Sequence, residues 1–507
     1  MTTATTATAA PESRAPAANH QNDTLPVPNS TLSYWREKPH RLDTHRTTPD
    51  LPASCDVAII GSGMAGVSVA YHLASTSSTP HPPSTLLLEA RQLCSGATGR
   101  NGGHVKAKTA TLLSLLSHDD DDDDDDENNN SSSNNNNDSN DSNDNDDNGL
   151  ATANALSAFV QAQIAALAAV TTAAEPGLAA ECDFQLRRSW DVFVRDDEAT
   201  ARVARAWRRC VARGDEWTAG REMIDGGDVE AVTGVRGARL AVSSPACSLW
   251  PYRFVGGLLE RAMARNGRLN VQTGTGVVRV ERDGEGAGEG AWLVCTDRGV
   301  VRARKVVFAT NAYTAGLVPA YRGVITPYKG MCAHLAAADG TRQPRLSHTY
   351  NIEYGGREGL ETVDYLNPRP DGGIVVGGAK WLYQEQKSLW LNTVDDSTLI
   401  EPVMKAKYFD GYMQRNFTGW DDSGSETERV WSGIMGSTPD GVPHVGKVPG
   451  EQNQWILAGF NGGGNALIFL TAKAVAKMVL EDVPFEETGV AVPAFFKTTA
   501  ERLAKHS

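Results

Sequence analysis

A glycine-rich hexapeptide stands between a short apolar run and a helical segment early in the chain. Gly61, Gly63 and Gly66 form a GxGxxG pattern directly after the apolar residues 55–60. The first glycine of such a pattern permits a tight turn, the second lets the backbone approach a pyrophosphate, and the third allows close packing of helix on strand. Residues 61–66 are therefore predicted to hold the pyrophosphate of a dinucleotide.

A carboxylate ends the next apolar run. Glu89 closes residues 85–89, where its side chain can accept hydrogen bonds from both ribose hydroxyls of an adenosine. The alternative is a glycine-rich turn with a surface glutamate, but strand, spacing and acid occur here together. NAD and FAD share the adenosine half, so this pattern alone does not separate the two cofactors.

Three further segments favour a flavin over a nicotinamide. The glycines of 94–103 let the chain pass close to a flat, bulky ligand. The buried run 305–311 ends in small and polar residues that suit the same site. Residues 458–465 open a helix whose N–H groups and positive dipole end suit an electron-rich group. No second GxGxxG motif follows a strand, which disfavours a bound NADPH as electron donor.

Hydrophobic periodicity predicts the elements that position these segments. The run 55–60, a helix over 64–74 and the run 85–89 form a β-α-β unit with buried parallel strands, and 324–378 is strand-rich. Residues 283–290 read as the hairpin loop of an antiparallel meander. The other predicted helices are 109–116, 151–174, 198–213, 252–266, 402–415 and 466–480, and the other predicted strands are 183–196, 277–280, 291–296, 300–310 and 454–458.

The acidity of the chain is local. The formal net charge is −14, but residues 119–148 contain fourteen of the 62 acidic residues and no Lys or Arg, which leaves 48 acidic and 48 basic residues elsewhere. A polar tract of this kind cannot bury enough apolar surface to fold, so a disordered insertion is expected. The neutral remainder gives no indication of nucleic-acid binding.

Cysteine usage and hydropathy indicate a cytoplasmic protein. The seven cysteines are scattered, without a CxxC pair or a zinc-type Cys/His cluster, so free thiols and no metal are expected. No apolar run reaches the roughly 18 to 20 residues that span a bilayer, so no membrane partner is expected. The N-terminus lacks the features of a secretory signal.

The motifs resemble those of the D-amino-acid oxidase superfamily of FAD-dependent oxidoreductases, in particular its gamma-glutamylputrescine oxidase-like branch. The resemblance implies FAD and an oxidase that takes a hydride from the C–N bond of an amine or amino acid. Electrons then pass to oxygen, giving imine and hydrogen peroxide. The matching segments are DVAIIGSGMAGVSVAYHLA, LLLEARQLCSGATGRNGGH, YRFVGGLLERA, VVFATNAYT, ITPYKGM, WSGIMGSTPDGVPHVG and AGFNGGGN.

The resemblance also implies a fold and a domain order. An α/β fold is expected, with a Rossmann-type FAD-binding domain and a second α+β substrate domain on a mainly antiparallel sheet. The expected order is a disordered tail 1–53, FAD domain 54–118, acidic insertion 119–148, helical segment and substrate domain 149–245, FAD domain 246–324, substrate domain 325–427, FAD domain 428–485 and tail 486–507.

The cofactor contacts follow from the same motifs. Some sarcosine-oxidase-like members tether FAD to a cysteine where this chain has Gly433, so noncovalent FAD is expected. The predicted contacts are Gly61, Gly63, Met64, Ala65, Gly66, Glu89, Ala90, Arg91, Gly96, Ala97, Thr98, Arg100, Asn101, Gly102, Val278, Thr310, Gly433, Gly462, Gly463 and Gly464.

Three residues are candidates for chemistry. Lys329 and Lys380 could each stabilise negative charge on oxygen beside the flavin, and a solvated strand-end lysine is the alternative for both. His104 could face the flavin or bond to nearby backbone. Trp431 and Tyr365 could line a wall for an amine cation, although such residues more often belong to the core.

Two other functions stay open at this point. The same fold could serve an amine dehydrogenase that passes electrons to a quinone or a carrier protein. It could also serve a flavin-binding module without catalysis. The sequence does not indicate the oligomeric state or the particular amine.

Overall fold

The computed structural model describes residues 24–76, 82–116, 141–195, 197–284, 290–337, 343–355 and 361–506. Its strands are β1 (Ser54–Ile60), β2 (Thr85–Leu88), β3 (His104–Val105), β4 (Gln185–Phe193), β5 (Glu222–Asp225), β6 (Leu240–Ser248), β7 (Leu269–Gln272), β8 (Val277–Arg282), β9 (Trp292–Thr296), β10 (Gly299–Phe308), β11 (Thr326–Ala336), β12 (Thr349–Glu353), β13 (Val363–Pro368), β14 (Ile374–Gly377), β15 (Glu426–Ser437), β16 (His444–Lys447) and β17 (Gln454–Ala458).

Helices cover both sheets. They are α1 (Met64–Thr76), α2 (Thr109–Ser114), α3 (Asp141–Ala169), α4 (Leu178–Glu181), α5 (Glu198–Arg213), α6 (Val229–Thr233), α7 (Pro251–Arg265), α8 (Thr314–Leu317), α9 (Glu401–Lys405), α10 (Tyr412–Asn416), α11 (Ile468–Glu481) and α12 (Ala500–His506).

The first sheet has the order β16-β17-β10-β1-β2-β7, with β9 and β8 added beyond β10. Strands β17, β10, β1, β2 and β7 are parallel, and their apolar runs are buried because α1, α7 and α11 pack together on one face. The meander β8-β9-β10 is antiparallel, as the sequence predicts. The carboxyl ends of the parallel strands meet at one edge, where ligands bind in open α/β sheets.

The second sheet has the order β15-β11-β14-β13-β12-β4-β6-β3, with β5 paired to β6. Its ladders are antiparallel apart from the parallel pair of β12 and β4, so the predicted fold class is confirmed. Strand β15 pairs with β11 along its whole length. The expected domain boundary at 428 is therefore wrong for 428–437, where glycines and serines hide the alternation of a strand.

The N-terminal segment 24–53 packs into the molecule, so the expectation of a disordered tail is wrong for these residues. Trp35 is fully buried, and its carbonyl accepts a hydrogen bond of 2.7 Å from the Trp250 indole. The Thr47 N–H donates to the Val271 carbonyl at 2.9 Å. Without helical or alternating periodicity, this segment gave no local signal of burial. Residues 1–23 of the predicted tail lie outside the described residues.

Helix α3 begins inside the acidic tract. Its backbone starts at Asp141, so the expectation of disorder is wrong for 141–148, while 117–140 lie outside the described residues. The helix continues into a π-helical turn at Val170–Ala174. Among the described helices, Asn148–Ala174 alone is long and apolar enough to cross a membrane by length and composition, and Val160 and Leu167 within it lie in the core.

Replacing Trp35 by alanine tests the role of the N-terminal segment. A fully buried indole is lost, so we expect the free energy of unfolding to fall by about 3–5 kcal/mol. Leu32→Ala is the control because Leu32 is 48% exposed, and it should have little effect. Chemical denaturation of both variants measures the difference. Equal stabilities would contradict the packing of this segment.

Candidate functional site

A cavity of about 790 Å³ lies at the carboxyl ends of the parallel strands and extends to the second sheet. Most of the predicted cofactor contacts and all three candidate catalytic residues line it. The predicted contacts on its wall are Gly61, Gly63, Ala65, Glu89, Ala90, Arg91, Gly96, Ala97, Thr98, Arg100, Asn101, Gly102, Thr310, Gly433, Gly462, Gly463 and Gly464.

The turn between β1 and α1 needs its glycines for different reasons. Gly61 has φ +106°, and a Cβ there would lie 2.6 Å from the Ala309 carbonyl oxygen. A Cβ on Gly66 would lie 1.9 Å from the Gly61 oxygen, so this glycine serves helix packing. Gly63 faces the cavity, where a Cβ would lie 3.2 Å from Thr98 Oγ1. The turn thus leaves space for a ligand at Gly63.

The Glu89 carboxylate is fixed by its neighbours. Oε2 accepts hydrogen bonds from the Ser62 hydroxyl at 2.6 Å and the Ser62 N–H at 3.1 Å. Oε1 accepts from the Arg91 N–H at 2.9 Å. The sequence analysis missed this contribution of Ser62, which stands at the variable second position of the glycine motif. Glu89 is thereby held at the cavity wall where the first two strands end.

A buried carboxylate joins the two sides of the site. The Asp396 side chain accepts two hydrogen bonds from Arg91, at 2.8 and 3.1 Å, and lies 3.5 Å from Arg100 Nε. Arg100 also donates to the Ser95 and Ser432 carbonyls, at 2.8 and 2.7 Å. Both guanidinium groups are therefore engaged in holding loops together. Asp396 was not a candidate, since nothing in its local sequence marks it.

Two amides connect the loops on either side of the cavity. Asn465 Nδ2 donates to Asn101 Oδ1 at 3.0 Å. Gln163 of α3 donates to the Asn465 carbonyl at 3.0 Å and accepts from the Leu470 N–H of α11 at 2.9 Å. The glycine loop 459–465 reaches α11 through a 3₁₀ turn, Gly464–Ala466. The helix after the acidic tract thus helps to hold the C-terminal loop.

Three predicted contacts do not line the cavity. Val278 is 39% exposed, and Val277 lines the wall instead. Alternate strand residues face opposite sides, so the Val278 side chain points away from the wall, and its contact with FAD stays a prediction. Met64 is buried, and its N–H donates to Thr98 Oγ1 at 3.0 Å. Gly66 packs against the turn, as described above.

The two candidate lysines differ in their surroundings. Lys329 is 5% exposed and donates to Thr398 Oγ1 at 2.8 Å, and burial lowers the pKa of its ammonium. Lys380 forms an ion pair of 2.5 Å with Glu361. Its Nζ lies 4.7 Å from the Trp390 ring centroid, within the range of a cation–π contact. Lys380 is therefore fixed by an aromatic ring and a carboxylate.

His104 presents a neutral imidazole to the cavity. Burial lowers its pKa to about 3, and the nearby Lys106 ammonium acts in the same direction. The Nδ1 atom has no hydrogen-bond partner among the described residues, and the ring lies 5.7 Å from that of Tyr365. Above about pH 4, His104 can therefore accept or donate a hydrogen bond without carrying charge.

A buried aspartate holds the turn that precedes Lys380. Asp364 accepts hydrogen bonds from the Tyr408 and Tyr412 hydroxyls, at 2.6 and 2.8 Å, and from the Ala379 N–H at 2.9 Å. Ala379 has φ +61°, which a residue with a side chain rarely adopts. Burial raises the pKa of Asp364 to about 6. This carboxyl therefore stabilises a strained turn at the cavity wall.

These residues fit FAD. The space at Gly63 would admit the pyrophosphate at the N-terminus of α1, and Glu89 would accept from the ribose. The loops at 96–102 and 462–464 would lie against the ring system. All of these groups border one continuous cavity.

Comparison with protein families identifies the class. A family described as FAD dependent oxidoreductase matches residues 56–478, most of the chain. The protein therefore belongs to this family of FAD-dependent enzymes, as its motifs predict. The narrower resemblance to the gamma-glutamylputrescine oxidase-like branch stays a prediction. Comparison with curated protein sequences gives no match.

Solved structures show the same fold. Glycine oxidase from Geobacillus kaustophilus is 19% identical, with a TM-score of 0.61, over 89% of this chain and 99% of that one. L-proline dehydrogenase from P. horikoshii is 17% identical, with a TM-score of 0.58, over 87% and 96%. Iminodiacetate oxidase from Chelativorans sp. BNC1 is 14% identical, with a TM-score of 0.58, over 87% and 99%.

Replacing Gly63 by valine tests the pyrophosphate site. The side chain would fill the space beside Thr98, so we expect the purified variant to retain less than about a tenth of the wild-type flavin, a loss of at least ~1.4 kcal/mol in binding. Gly227→Val is the matched control, since a Cβ there meets no atom within 4 Å. Flavin absorbance per chain measures the outcome. Full flavin content in the Gly63 variant would contradict the assignment.

Replacing Asp364 by asparagine gives a pH-dependent result. The folded protein binds the Asp364 proton more tightly than the unfolded chain does, because the pKa rises from 3.8 to about 6. This carboxyl therefore makes folding less favourable as the pH rises from about 4 to about 6. From about pH 4 to about pH 6, the free energy of unfolding of the variant should therefore rise by about 2–3 kcal/mol relative to that of the wild type.

Urea unfolding at about pH 4.5 and pH 7.5 measures this difference. The hydrogen bonds that asparagine cannot make change both values alike, so they cancel when the two pH values are compared. A difference independent of pH would show that Asp364 is not protonated in this range.

Proposed function

We propose that the protein is an oxidase that takes a hydride from the C–N bond of an amine or amino acid and passes the electrons to oxygen. The carbon loses a hydride and the nitrogen a proton, which forms the imine, and oxygen gains two electrons and two protons to form hydrogen peroxide. FAD supplies the two-electron acceptor. The observation that supports this proposal is the continuous cavity, which joins the turn at Gly63 to an aromatic wall with His104 and Lys380.

Similar structures agree with a nitrogen-containing substrate. Glycine oxidase and iminodiacetate oxidase are named for the oxidation of such compounds. In this chain His104 lines the cavity as a neutral imidazole, which suits the reaction because its ring can bind the substrate amine without placing a second charge beside it. The reaction requires the uncharged amine, because the nitrogen lone pair forms the C=N bond as the hydride leaves the carbon.

Lys380 is the better candidate for the oxygen step. Alternate residues of β11 face opposite sides. Tyr328, Gly330 and Cys332 share one side of the strand, where Cys332 contacts Tyr365 and the Arg100 carbonyl. Lys329 also lines the cavity, but its ammonium donates to Thr398 Oγ1 at 2.8 Å. The Lys380 ammonium lies 5.8 Å from the Tyr328 ring centroid, on the cavity side. A fixed positive charge there would stabilise negative charge that develops on oxygen.

The residues around Gly433 support noncovalent FAD. Gly433 offers no side chain for a covalent bond. Cys332 is the cavity's one cysteine among the described residues, and burial raises its pKa to about 12. Its thiol also bonds with the Tyr365 hydroxyl at 2.8 Å. The protonated thiol is a poor nucleophile. We further propose a cytoplasmic location, because all seven cysteines are free and buried.

A dehydrogenase of the same fold is the second candidate, since L-proline dehydrogenase is among the similar structures. Peroxide formed per amine consumed separates the two. A ratio near one supports the oxidase, and turnover of an artificial acceptor with almost no peroxide supports the dehydrogenase.

Replacing each lysine by methionine tests the oxygen step. After anaerobic bleaching with amine, we expect colour to return at least ~100-fold more slowly in Lys380→Met when oxygen is admitted, a difference of ~2.7 kcal/mol in barrier. Lys329→Met should change this rate by less than about threefold, because the Lys329 ammonium is buried and donates to Thr398 Oγ1. Stopped-flow absorbance measures both. The reverse order would assign the role to Lys329.

A further inference from the structure

We infer that the substrate is an amine without a carboxylate on the carbon next to nitrogen, bound through an apolar or aryl group. This inference rests on the proposed function and narrows its substrate class. It follows from two properties of the cavity wall: its cations other than Lys108 are engaged by the protein, and the second-sheet side is aromatic.

The arginines of the wall are not available to a ligand carboxylate. Arg91 and Arg100 line the cavity, and both bind the buried Asp396. Every nitrogen of Arg100 makes a hydrogen bond within the protein, to the Ser95 and Ser432 carbonyls and to Ser30 and Thr31. Among the described residues, no arginine of the second sheet or its connections lines the cavity. A bidentate clamp for a carboxylate is therefore missing from this wall.

Two lysines of the wall are paired with carboxylates. Lys106 donates to Asp191 at 2.8 Å and to Ser189 at 2.7 Å. Lys380 is paired with Glu361, as described above. A substrate carboxylate would have to compete with a fixed partner at either position. Removing a carboxylate from water without a compensating cation is strongly unfavourable.

Two more lysines of the wall have to be considered as binding groups for a substrate carboxylate. Lys329 lines the cavity, but its buried ammonium donates to Thr398 Oγ1 at 2.8 Å. Lys108 is half-buried and has no ion pair among the described residues. His104, Lys106 and Lys108 are alternate residues of one extended segment, which ends where α2 begins. Among the described residues of the wall, Lys108 is thus the cation most open to a substrate carboxylate, and its substitution is included in the test.

The wall on the second-sheet side is built from large rings. Tyr328, Tyr365, Tyr383 and Trp390 line the cavity. The Tyr365 hydroxyl is bonded to Cys332, and the Trp390 indole N–H donates to the Gln384 carbonyl at 3.0 Å. With these polar atoms occupied, the rings of Tyr365 and Trp390 offer mainly apolar surface. Such a surface binds an uncharged amine through its hydrocarbon part.

A matched pair of compounds tests the inference on the flavin-loaded protein. N-benzylglycine is N-methylbenzylamine with a carboxylate added to the methyl carbon, and both have a C–N bond to oxidise. We expect the second-order rate constant for anaerobic flavin bleaching to be at least ~100-fold larger for N-methylbenzylamine. Equal or faster bleaching by N-benzylglycine would overturn the inference.

Binding without reaction gives a second measurement. Benzamide and benzoate have no oxidisable C–N bond, and each can be titrated against the flavin spectrum. We expect benzoate to bind at least ~10-fold more weakly than benzamide. Tighter binding of benzoate would overturn the inference. If no amine or amino acid tried bleaches the flavin, the proposed function fails, and this titration still decides the charge preference of the cavity.

Substitutions show which groups set the preference. Glu361→Gln removes the partner of Lys380, so the preference for N-methylbenzylamine should shrink by at least ~10-fold, whereas Glu361→Asp should keep most of it. An unchanged preference in Glu361→Gln would overturn the role given to this ion pair. If Lys108→Ala abolishes bleaching by N-benzylglycine but not by N-methylbenzylamine, Lys108 is a carboxylate site and the inference is wrong.

Discussion

The buried carboxylate of Asp396 is the interaction on which the architecture of the site depends. Asp396 is fully buried and binds Arg91, which comes two residues after Glu89 in the chain. It also lies close to Arg100 of the next loop. Removing one partner of a buried ion pair leaves an uncompensated charge, which is strongly destabilising. The loop after β2 and the loop before α9 must therefore keep their relative positions. That requirement fixes the cavity between the two sheets.

The same balance of charge governs the chemistry that the cavity can support. Its buried cations are bound by groups of the protein, and its imidazole is neutral because burial lowers the pKa of His104 to about 3. The Lys380 ammonium lies beside an aromatic ring and a carboxylate. Such a site favours an uncharged substrate while it retains one fixed positive charge. These two properties suit removal of a hydride from a neutral amine followed by reaction with oxygen.

Local sequence signals were enough for the parts of the structure that depend on local constraints. The glycine turn, the position of Glu89 and most of the loops around the cavity could be predicted, because each requires a particular residue type where the backbone approaches a ligand. Strands β1, β2 and β17 could be predicted because they are short, buried apolar runs. The long-range features could not. Asp396 and Gln163 act through partners distant in sequence, and segment 24–53 is buried without a periodic pattern.

Anaerobic mixing of the purified protein with amines tests directly whether its flavin takes a hydride from a C–N bond. We expect the purified protein to be yellow. Its visible flavin absorbance should fall within one catalytic turnover, in proportion to the amine added. Denaturing the chain should release the flavin. A protein that carries flavin but keeps its full absorbance with every amine and amino acid tried would contradict the proposed oxidation of a C–N bond.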